Sequence, residues 1–335
     1  MKLRLKRCTS NPVLSPLKKN AWESLSVCNP GAWYENGTFY LLYRAAGEDK
    51  EHIIRFGLAV SKDGFRFERV SDKPILSPAA DSPDSGGIED PRIVKFDDVF
   101  YITYAYRPFP PGQYWLPDKE KHQGPYGPAS APKVIRDNVA NSGILTSKDL
   151  RTFRRLGRIT RSDLDDRDVI LFPEKINGKY VMLHRPKDWI GEKYSCRHPS
   201  IWISFSDDLL VWEEDRLLLK GTYPWEEKVG GSCPPLKTDE GWLTLYHGVD
   251  GKGVYRAGVM LLDLKDPAQI IARASEFILE PEEEYERRGL WPNCVFPTGN
   301  VIVGDEVFIY YGAADKYCCA ATAKVRDLID ACFNK

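Results

Sequence analysis

The sequence lacks the features that mark several common protein classes. It contains no CxxC or HExxH motif, so a structural or catalytic zinc site is not expected. No apolar stretch has the length needed to cross a membrane, and residues 1–14 have no apolar core of the signal-peptide type. We therefore expect a cytoplasmic protein that has no membrane partner and binds no metal.

A surplus of charge of one sign is also missing. Basic and acidic residues nearly balance, at 47 and 48, whereas a nucleic-acid or membrane-surface partner requires a concentrated basic face. The eight cysteines lack paired zinc-type spacing, and the adjacent Cys318 and Cys319 lie in an apolar strand pattern. We expect a chain that does not bind nucleic acid and whose cysteines are mostly reduced and buried.

One short pattern occurs five times along the chain. In each copy a polar turn is followed by a strand of alternating bulky residues, which is typical of a β-hairpin with one buried face. The turns lie near Gly37, Asp98, Gly178, Gly241 and Asp305, at steps of 61, 80, 63 and 64 residues. A single hairpin cannot bury its apolar face, but copies arranged around an axis can. The sequence therefore predicts an all-β fold, a five-bladed β-propeller that occupies residues 1–335 as a single catalytic domain.

The long second step indicates an insertion at about 107–140, rich in proline, glycine and aromatic residues. Its aromatic side chains Tyr114, Trp115 and Tyr126 favour an ordered flap or a contact between copies of the chain in a homo-oligomer. Residues 321–335 carry apolar side chains at helical spacing, which predicts a short C-terminal helix outside the propeller.

Ser-x-Asp turns follow three of the outer strands. We interpret them as structural, because serine and aspartate side chains commonly satisfy the backbone N–H groups of a loop. They are Ser61 with Asp63, Ser147 with Asp149, and Ser206 with Asp208.

A propeller gathers one strand end from each blade around a funnel, so polar clusters at these ends are candidates for one site. The densest cluster is SGGIEDPRIVKF at residues 85–96, where two glycines allow a close approach of the backbone to a ligand and two carboxylates follow. Neighbouring side chains of a strand point to opposite faces. We therefore expect one of Glu89 and Asp90 to face the funnel and the other to pair with Arg92.

Several long segments resemble, in order, the motifs of glycoside hydrolase family 130. They are GGIEDPRIVK, DDRDVILFPEKINGKYVMLHRP, WEEKVGGSCPPLKTDEGWLTLYHGV, LEPEEEYERRGLWPNCVFPTG and IYYGAAD, which together extend from about Asn29 to Asp315. The resemblance implies a five-bladed propeller that cleaves β-mannosides with inversion. The attacking group would be phosphate in a phosphorylase or water in a β-mannosidase.

The resemblance also implies roles for individual residues. Asp90 would be the catalytic acid, passing its proton to the glycosidic oxygen through a hydroxyl of the bound mannose. Arg167, Lys228 and His247 match the positions where phosphorylases of this family hold phosphate, and Arg55 would add a further contact. Mannose binding would use polar side chains that pair with vicinal hydroxyls and apolar side chains that face the ring. The polar ones are Asn29, Arg44, Arg92, His184, Arg185 and Asp315, and the apolar ones are Tyr311, Trp291 and Phe296.

The residues around Lys228 support an anion site independently of the family. Lys228 precedes Gly230 and Gly231, whose flexible backbone would let an anion reach N–H groups. We expect a phosphorylase that takes a β-mannoside oligosaccharide, uses inorganic phosphate as co-substrate and needs no cofactor.

Two alternatives stay open. Asp168 stands where asparagine is common in the family, and this acid would either orient Arg167 or weaken anion binding. An inverting β-mannosidase would then use Glu226 or Glu227 as the base that activates water. A carbohydrate-binding propeller without catalysis is the lesser alternative, because binding alone does not require Asp90.

Overall fold

The architecture is a ring of five antiparallel sheets, as the hairpin repeats predict. The computed structural model describes residues 2–117 and 127–334. Each sheet is one blade, and its strands follow one another from the axis outwards in chain order. Blade 1 has β2 (Ser26–Glu35), β3 (Thr38–Ala46), β4 (Arg55–Ser61) and β5 (Glu68–Arg69); blade 2 has β6 (Gly87–Phe96), β7 (Val99–Arg107), β8 (Asn141–Ser147) and β9 (Arg154–Arg158). Blade 3 has β10 (Asp166–Leu171), β11 (Tyr180–Pro186), β12 (Ile201–Ser206) and β13 (Glu213–Leu219).

The last two blades depart slightly from this scheme. In blade 4 the inner position is shared by two short strands that both pair with β16. Its strands are β14 (Lys228–Gly231), β15 (Leu236–Lys237), β16 (Trp242–Val249), β17 (Tyr255–Leu262) and β18 (Ile270–Arg273). Blade 5 takes its outermost strand from the start of the chain, so the two ends of the propeller meet in one sheet. Its strands are β19 (Val295–Val303), β20 (Glu306–Ala313), β21 (Tyr317–Lys324) and β1 (Lys6–Arg7).

The hydrophobic core is divided into clusters that lie between neighbouring blades. Leu41 packs with Tyr310 between blades 1 and 5, and Ile102 packs with Phe56 between blades 1 and 2. Equivalent clusters join blades 2 and 3, 3 and 4, and 4 and 5. Each sheet thus buries apolar side chains on both faces, which is why the isolated hairpin could not be stable.

The Ser-x-Asp turns are structural, as predicted. In each, the serine hydroxyl accepts hydrogen bonds from the backbone N–H groups two and three residues later. The aspartate then accepts from the next N–H groups of the loop. The turns therefore hold the tips of the outer hairpins without contributing to a site.

The predicted C-terminal helix is present as α3 (Val325–Phe333). It buries Leu328, Ile329 and Cys332 against the outer strands of blades 4 and 5. Two helices of one turn each also occur, α1 (Lys133–Arg136) and α2 (Glu284–Arg287). No helix of residues 2–117 and 127–334 is long and apolar enough to cross a membrane. All eight cysteines are free thiols, and seven of them are buried.

The insertion lies between β7 and β8. Its described parts are 108–117 and 127–140, and α1 forms near its end. Tyr126 lies outside the described residues. Gly86, three residues before Glu89, lets this segment approach the blade, because a Cβ at Gly86 would collide with the backbone of Phe109. The expectation that the two glycines of SGGIEDPRIVKF admit a ligand to the backbone is therefore wrong at Gly86.

Candidate active site

A cavity of about 450 Å³ opens at one end of the propeller axis and takes residues from every blade. In an antiparallel hairpin the start of the first strand lies beside the end of the second, so each blade presents both ends to the cavity. The charged and polar side chains at these positions are Asn29 and Arg44, Glu89, Asp90 and Arg107, Arg167, Asp168 and Arg185, Lys228 and His247, and Asp315.

The inner strands of blades 1, 2 and 3 share one backbone distortion. Each has a β-bulge near its cavity end, and the first residue of each bulge has a left-handed backbone conformation. These residues are Asn29 at φ 47°, Asp90 at 53° and Asp168 at 54°. Asparagine and aspartate tolerate this region better than other side chains, and such strain concentrates at functional sites. In each of these three blades, the left-handed bulge residue directs its side-chain amide or carboxylate into the cavity.

The predicted acid Asp90 lies in a network of donors. Its Oδ1 accepts a hydrogen bond from Asn29 Nδ2 at 2.8 Å and one from Arg44 at 3.2 Å. Glu89 lies between two arginines, because Arg107 donates to its Oε1 at 3.1 Å and Arg44 lies 3.3 Å from its Oε2. Burial alone would raise the pKa of Glu89, but Arg44 and Arg107 lower it to about 2. Glu89 therefore stays ionised, and Asp90 is the carboxyl of this pair available to a substrate.

The expectation that these two acids point to opposite faces is wrong. Both line the cavity, because the bulge at Asp90 interrupts the alternation of the strand. Arg92 pairs with neither acid in this motif. It donates to the backbone carbonyl of Asp90 at 2.7 Å and to that of Ser232 at 3.2 Å. Arg92 is 3% exposed, so it braces the bulge from behind.

Basic side chains crowd another part of the cavity. Arg167 donates two hydrogen bonds to Asp165, at 2.7 and 3.0 Å, and Lys187 lies 3.3 Å from the same carboxylate. The charge of Arg167, with burial, lowers the pKa of Lys187 to about 8. Lys187 is a lining residue that the sequence did not single out. The Asp165 carboxylate therefore pairs with two cations, Arg167 and Lys187.

Neighbouring cations affect two further basic groups in the same way. Burial and then the charge of Arg185 lower the pKa of Lys228, and burial and then Arg167 lower that of Arg107. Lys228 donates to the neutral hydroxyl of Tyr255 at 3.3 Å. A lysine whose pKa is lowered by neighbouring cations lies in a positive potential that a bound anion would relieve.

Asp168 offsets part of this charge. Arg185 donates to it at 2.6 Å, and Nε2 of His247 lies 3.7 Å away. These contacts hold the pKa of Asp168 below its ordinary value despite burial. Burial and nearby cations lower the pKa of His247 to about 3, so its imidazole is neutral and would offer a hydrogen bond rather than a charge. Gly230 does not open its backbone to an anion, because Asp168 and His247 occupy the space over its Cα.

Not every residue predicted for the site reaches the cavity. Ten of the fourteen line it: Asn29, Arg44, Asp90, Arg167, Arg185, Lys228, His247, Trp291, Phe296 and Asp315. Arg55 lies on the third strand of blade 1 and donates to the carbonyl of Ile53. Tyr311 donates to Glu286 at 2.8 Å inside the cluster between blades 4 and 5. Arg92 lies behind the bulge, and His184 is within blade 3.

His184 and Arg185 are adjacent in β11, so their side chains point to opposite sides of the strand. Arg185 enters the cavity, so His184 points into the blade, where Nδ1 contacts Asp166 at 2.8 Å and Nε2 contacts Ser204 at 2.9 Å. This resembles a Ser-His-Asp triad in its partners, but all three residues are at most 2% exposed and none lines a cavity. The network fastens β10 to β11 and β12 and so supports Arg167 and Arg185.

This network makes stability depend on pH. Burial would lower the pKa of His184, but Asp166 raises it above the ordinary value. A raised folded-state pKa contributes stability below the ordinary histidine pKa, and this contribution is lost as pH rises through the folded value. We expect His184→Ala to lower the free energy of unfolding by about 3 kcal/mol, since the buried Asp166 carboxylate loses its charged partner and keeps, among the described residues, only the hydrogen bond from the Arg185 N–H.

Urea unfolding at pH 6 and at pH 9 checks this prediction. The loss should be larger at pH 6, where His184 is charged. Lys2→Ala, which breaks the exposed pair with Glu276, should change stability by less than about 1 kcal/mol at both pH values. An equal loss for His184→Ala at both values would contradict the charged pair.

Aromatic side chains complete the cavity. Phe296 makes an edge contact with His247 at 4.7 Å between ring centroids, and Tyr255 stacks on the same imidazole at 5.7 Å. Trp291 lies at the rim and is 41% exposed. Tyr255 was not among the residues predicted for the site. It lies at the cavity end of β17, where it pairs with Val249 of β16.

The two proposed bases for hydrolysis lie elsewhere. Glu226 has a fully buried side chain that accepts hydrogen bonds from Tyr246 and Arg273 under blade 4. Glu227 is half exposed and pairs with His198 at 3.8 Å. Neither lines the cavity. Among residues 2–117 and 127–334, no group of three or more His, Cys, Asp or Glu side chains could hold a metal ion.

The chain is similar to known mannoside phosphorylases over nearly its whole length. A family model described as β-1,4-mannooligosaccharide phosphorylase, of glycoside hydrolase family 130, matches residues 4–109 and 135–334. A 1,2-β-oligomannan phosphorylase of Thermoanaerobacter sp. (strain X514) is 40% identical over 333 residues, with 97% of this chain and 99% of the relative covered. A β-1,2-mannobiose phosphorylase of the same organism is 39% identical over 328 residues, with 94% and 95% covered. The solved β-1,2-mannobiose phosphorylase from Listeria innocua, in complex with β-1,2-mannobiose, gives a TM-score of 0.80 at 26% identity over 99% of both chains.

Proposed function

The chain belongs to glycoside hydrolase family 130, and from this membership we propose that it transfers a mannosyl group from a β-mannoside to inorganic phosphate. The products are α-mannose 1-phosphate and an acceptor one sugar shorter. The observation that carries the proposal is the group of basic side chains, Arg107, Arg167, Lys187 and Lys228, that lines the cavity in which Asp90 also lies. Three basic groups there have pKa values lowered in part by other cations. A dianion is the co-substrate that such a site suits.

Asp90 supplies the acid. Its carboxyl donates a proton toward the glycosidic oxygen, through a hydroxyl of the bound mannose, while the bond between C1 and that oxygen breaks. Asn29 and Arg44 hold the carboxylate that remains, at 2.8 and 3.2 Å. Departure of a protonated alcohol is easier than departure of an alkoxide, so this transfer accelerates the step.

Phosphate supplies the nucleophile. One of its oxygens forms the new bond to C1 from the face opposite the leaving group, which inverts the configuration from β to α. Arg167, Lys228 and His247 are proposed to hold the phosphate, with Lys187 and Arg185 adding charge. Phosphate needs no general base, and the carboxylates suggested for activating water, Glu226 and Glu227, lie outside the cavity.

The linkage is proposed to be β-1,2. The description of the family model prints a β-1,4 linkage, whereas the relatives at 40% and 39% identity are named for β-1,2-linked mannans. Whole-chain identity of this level is the more specific guide, because the relatives named for 1,4 linkages are only 30% and 29% identical to this chain. The acceptor would then be mannose or a β-1,2-mannooligosaccharide. A cytoplasmic location stays a prediction from the sequence.

Product analysis tests the reaction and the linkage together. The protein is incubated with β-1,2-, β-1,3- and β-1,4-mannobiose, each with and without phosphate. We expect α-mannose 1-phosphate from the β-1,2 substrate and little cleavage when phosphate is absent. Release of free mannose at the same rate without phosphate would replace the phosphorylase with an inverting β-mannosidase. Faster turnover of another linkage would overturn only the linkage.

A further inference from the structure

The insertion reaches the site through one side chain. The Tyr114 hydroxyl donates a hydrogen bond to Asp315 Oδ2 at 3.1 Å and accepts one from Arg44 at 3.2 Å. Arg44 in turn contacts Asp90 and Glu89 through its other terminal nitrogen. Tyr114 thus connects Asp315 of blade 5, Arg44 of blade 1 and the acids of blade 2. It also lines the cavity.

The part of the insertion that carries Tyr114 is fixed to the loop between β3 and β4 of blade 1. The Gly112 N–H donates to the carbonyl of Glu51 at 3.0 Å. His52 is fully buried and makes edge contacts with Tyr114 and with Trp115, at 5.5 and 4.7 Å between ring centroids. Burial lowers the pKa of His52 to about 3, so its ring packs as a neutral aromatic group.

Asn138 ties the start of the insertion to its end. Its side chain accepts from the N–H of Phe109 at 3.0 Å and donates to the carbonyls of Phe109 and Pro110 at 2.9 and 3.3 Å. Arg107 also donates to the carbonyl of Asn138 at 2.8 Å. Tyr114 is therefore presented by an ordered segment rather than by a free loop end.

The insertion is an addition to the family pattern. The family model matches residues 4–109 and resumes at 135, so Tyr114 lies in the gap, whereas Arg44, Asp90 and Asp315 lie in the matched parts. We propose that Tyr114 is a positioning residue for the mannosyl unit that is transferred. Its hydroxyl sets Arg44 and Asp315 at a fixed separation, so that both present their remaining polar atoms to the sugar. This rests on the proposed function and places Tyr114 of the insertion beside the donor sugar.

The hydroxyl is suited to this task because it joins groups of opposite charge. Arg44 and Asp315 are 4.0 Å apart, too far for a direct hydrogen bond of normal length, and Tyr114 donates to one and accepts from the other. Without it, the Arg44 guanidinium would be drawn further toward Glu89 and Asp90. The catalytic acid would then lose its alignment without any change in the phosphate-binding cations.

The test is Tyr114→Phe in the full chain. Calorimetric titration with β-1,2-mannobiose, without phosphate, should show binding weakened about tenfold or more, as expected for loss of hydrogen bonds to charged groups. In turnover assays kcat/KM for the mannoside should fall similarly, while KM for phosphate stays within about twofold, because the variant leaves the cations intact. Tyr310→Phe is the matched control. It removes a buried tyrosine hydroxyl that donates to the Gly64 carbonyl at 2.9 Å outside the cavity. Mannobiose binding, kcat/KM for the mannoside and KM for phosphate should all stay unchanged in this variant.

The outcomes separate the two proposals. If the wild type cleaves without phosphate but Tyr114→Phe still binds mannobiose weakly, the phosphorylase assignment fails and the role of Tyr114 stands. Mannobiose binding by Tyr114→Phe equal to that of the wild type, or an equal rise in KM for phosphate, would overturn the positioning role. A wild type that binds no β-mannoside would overturn both.

Discussion

Asp90→Asn is expected to lower kcat for β-mannoside phosphorolysis by about 10²- to 10⁴-fold, the range for loss of a general acid. The asparagine amide cannot donate a proton to the leaving oxygen. Its oxygen can still accept from Asn29 and Arg44, and asparagine tolerates the left-handed backbone at this position, where φ is 53°. The fold should therefore survive, and the loss should appear in turnover.

Two measurements separate this chemistry from a folding defect. Asp97→Asn is a matched control, because Asp97 also has a left-handed backbone, at φ 51°, and lies in the turn at the other end of the same hairpin. It should have normal kcat. An aryl β-mannoside whose leaving group needs no protonation should be cleaved by Asp90→Asn with a much smaller loss than mannobiose. Near-normal turnover of mannobiose by Asp90→Asn would remove Asp90 from its role.

Lys228→Ala is expected to raise KM for phosphate by about tenfold or more, the effect of losing one charge-assisted hydrogen bond. Lys228 is the most informative cation to remove, because the partner it donates to is the neutral hydroxyl of Tyr255, and no buried carboxylate is left unpaired. Mannoside binding without phosphate should change little. KM for phosphate is obtained from initial rates measured over a series of phosphate concentrations at saturating mannoside.

Arg167→Ala should also raise KM for phosphate. In the double variant, the loss of phosphate-binding free energy should be smaller than the sum of the losses in the two single variants, because both side chains are proposed to contact one phosphate. Lys179→Ala removes a partly exposed lysine of the same blade 3 hairpin, paired with Glu214 at 3.5 Å, and should leave KM for phosphate unchanged. A normal phosphate KM in both single variants would show that the anion binds elsewhere.

Two pairs of adjacent polar residues at strand ends show that residue type alone does not predict which side chains line the cavity. His184 and Arg185 are both polar and adjacent, and both were predicted to bind mannose, but the register of β11 sends Arg185 to the cavity and His184 into the blade. At Glu89 and Asp90 the reverse occurs, since the bulge brings both acids to the cavity. One-residue differences in register or backbone conformation decide such cases, and they depend on the partner strand.

The hairpin pattern by itself determined the number of blades, their order and the position of the insertion, because alternation of apolar residues and polar turns are local properties of the chain. The motif order also identified the family and ten of the residues that line the cavity. Only the tertiary structure decided the rest. Closure of blade 5 by the two-residue strand Lys6–Arg7 and the hydrogen bond from Tyr114 of the insertion to Asp315 join residues far apart in the chain, and the left-handed bulges depend on pairing with the neighbouring strand. No local pattern encodes such contacts, because their energy arises only when the ring of blades has formed.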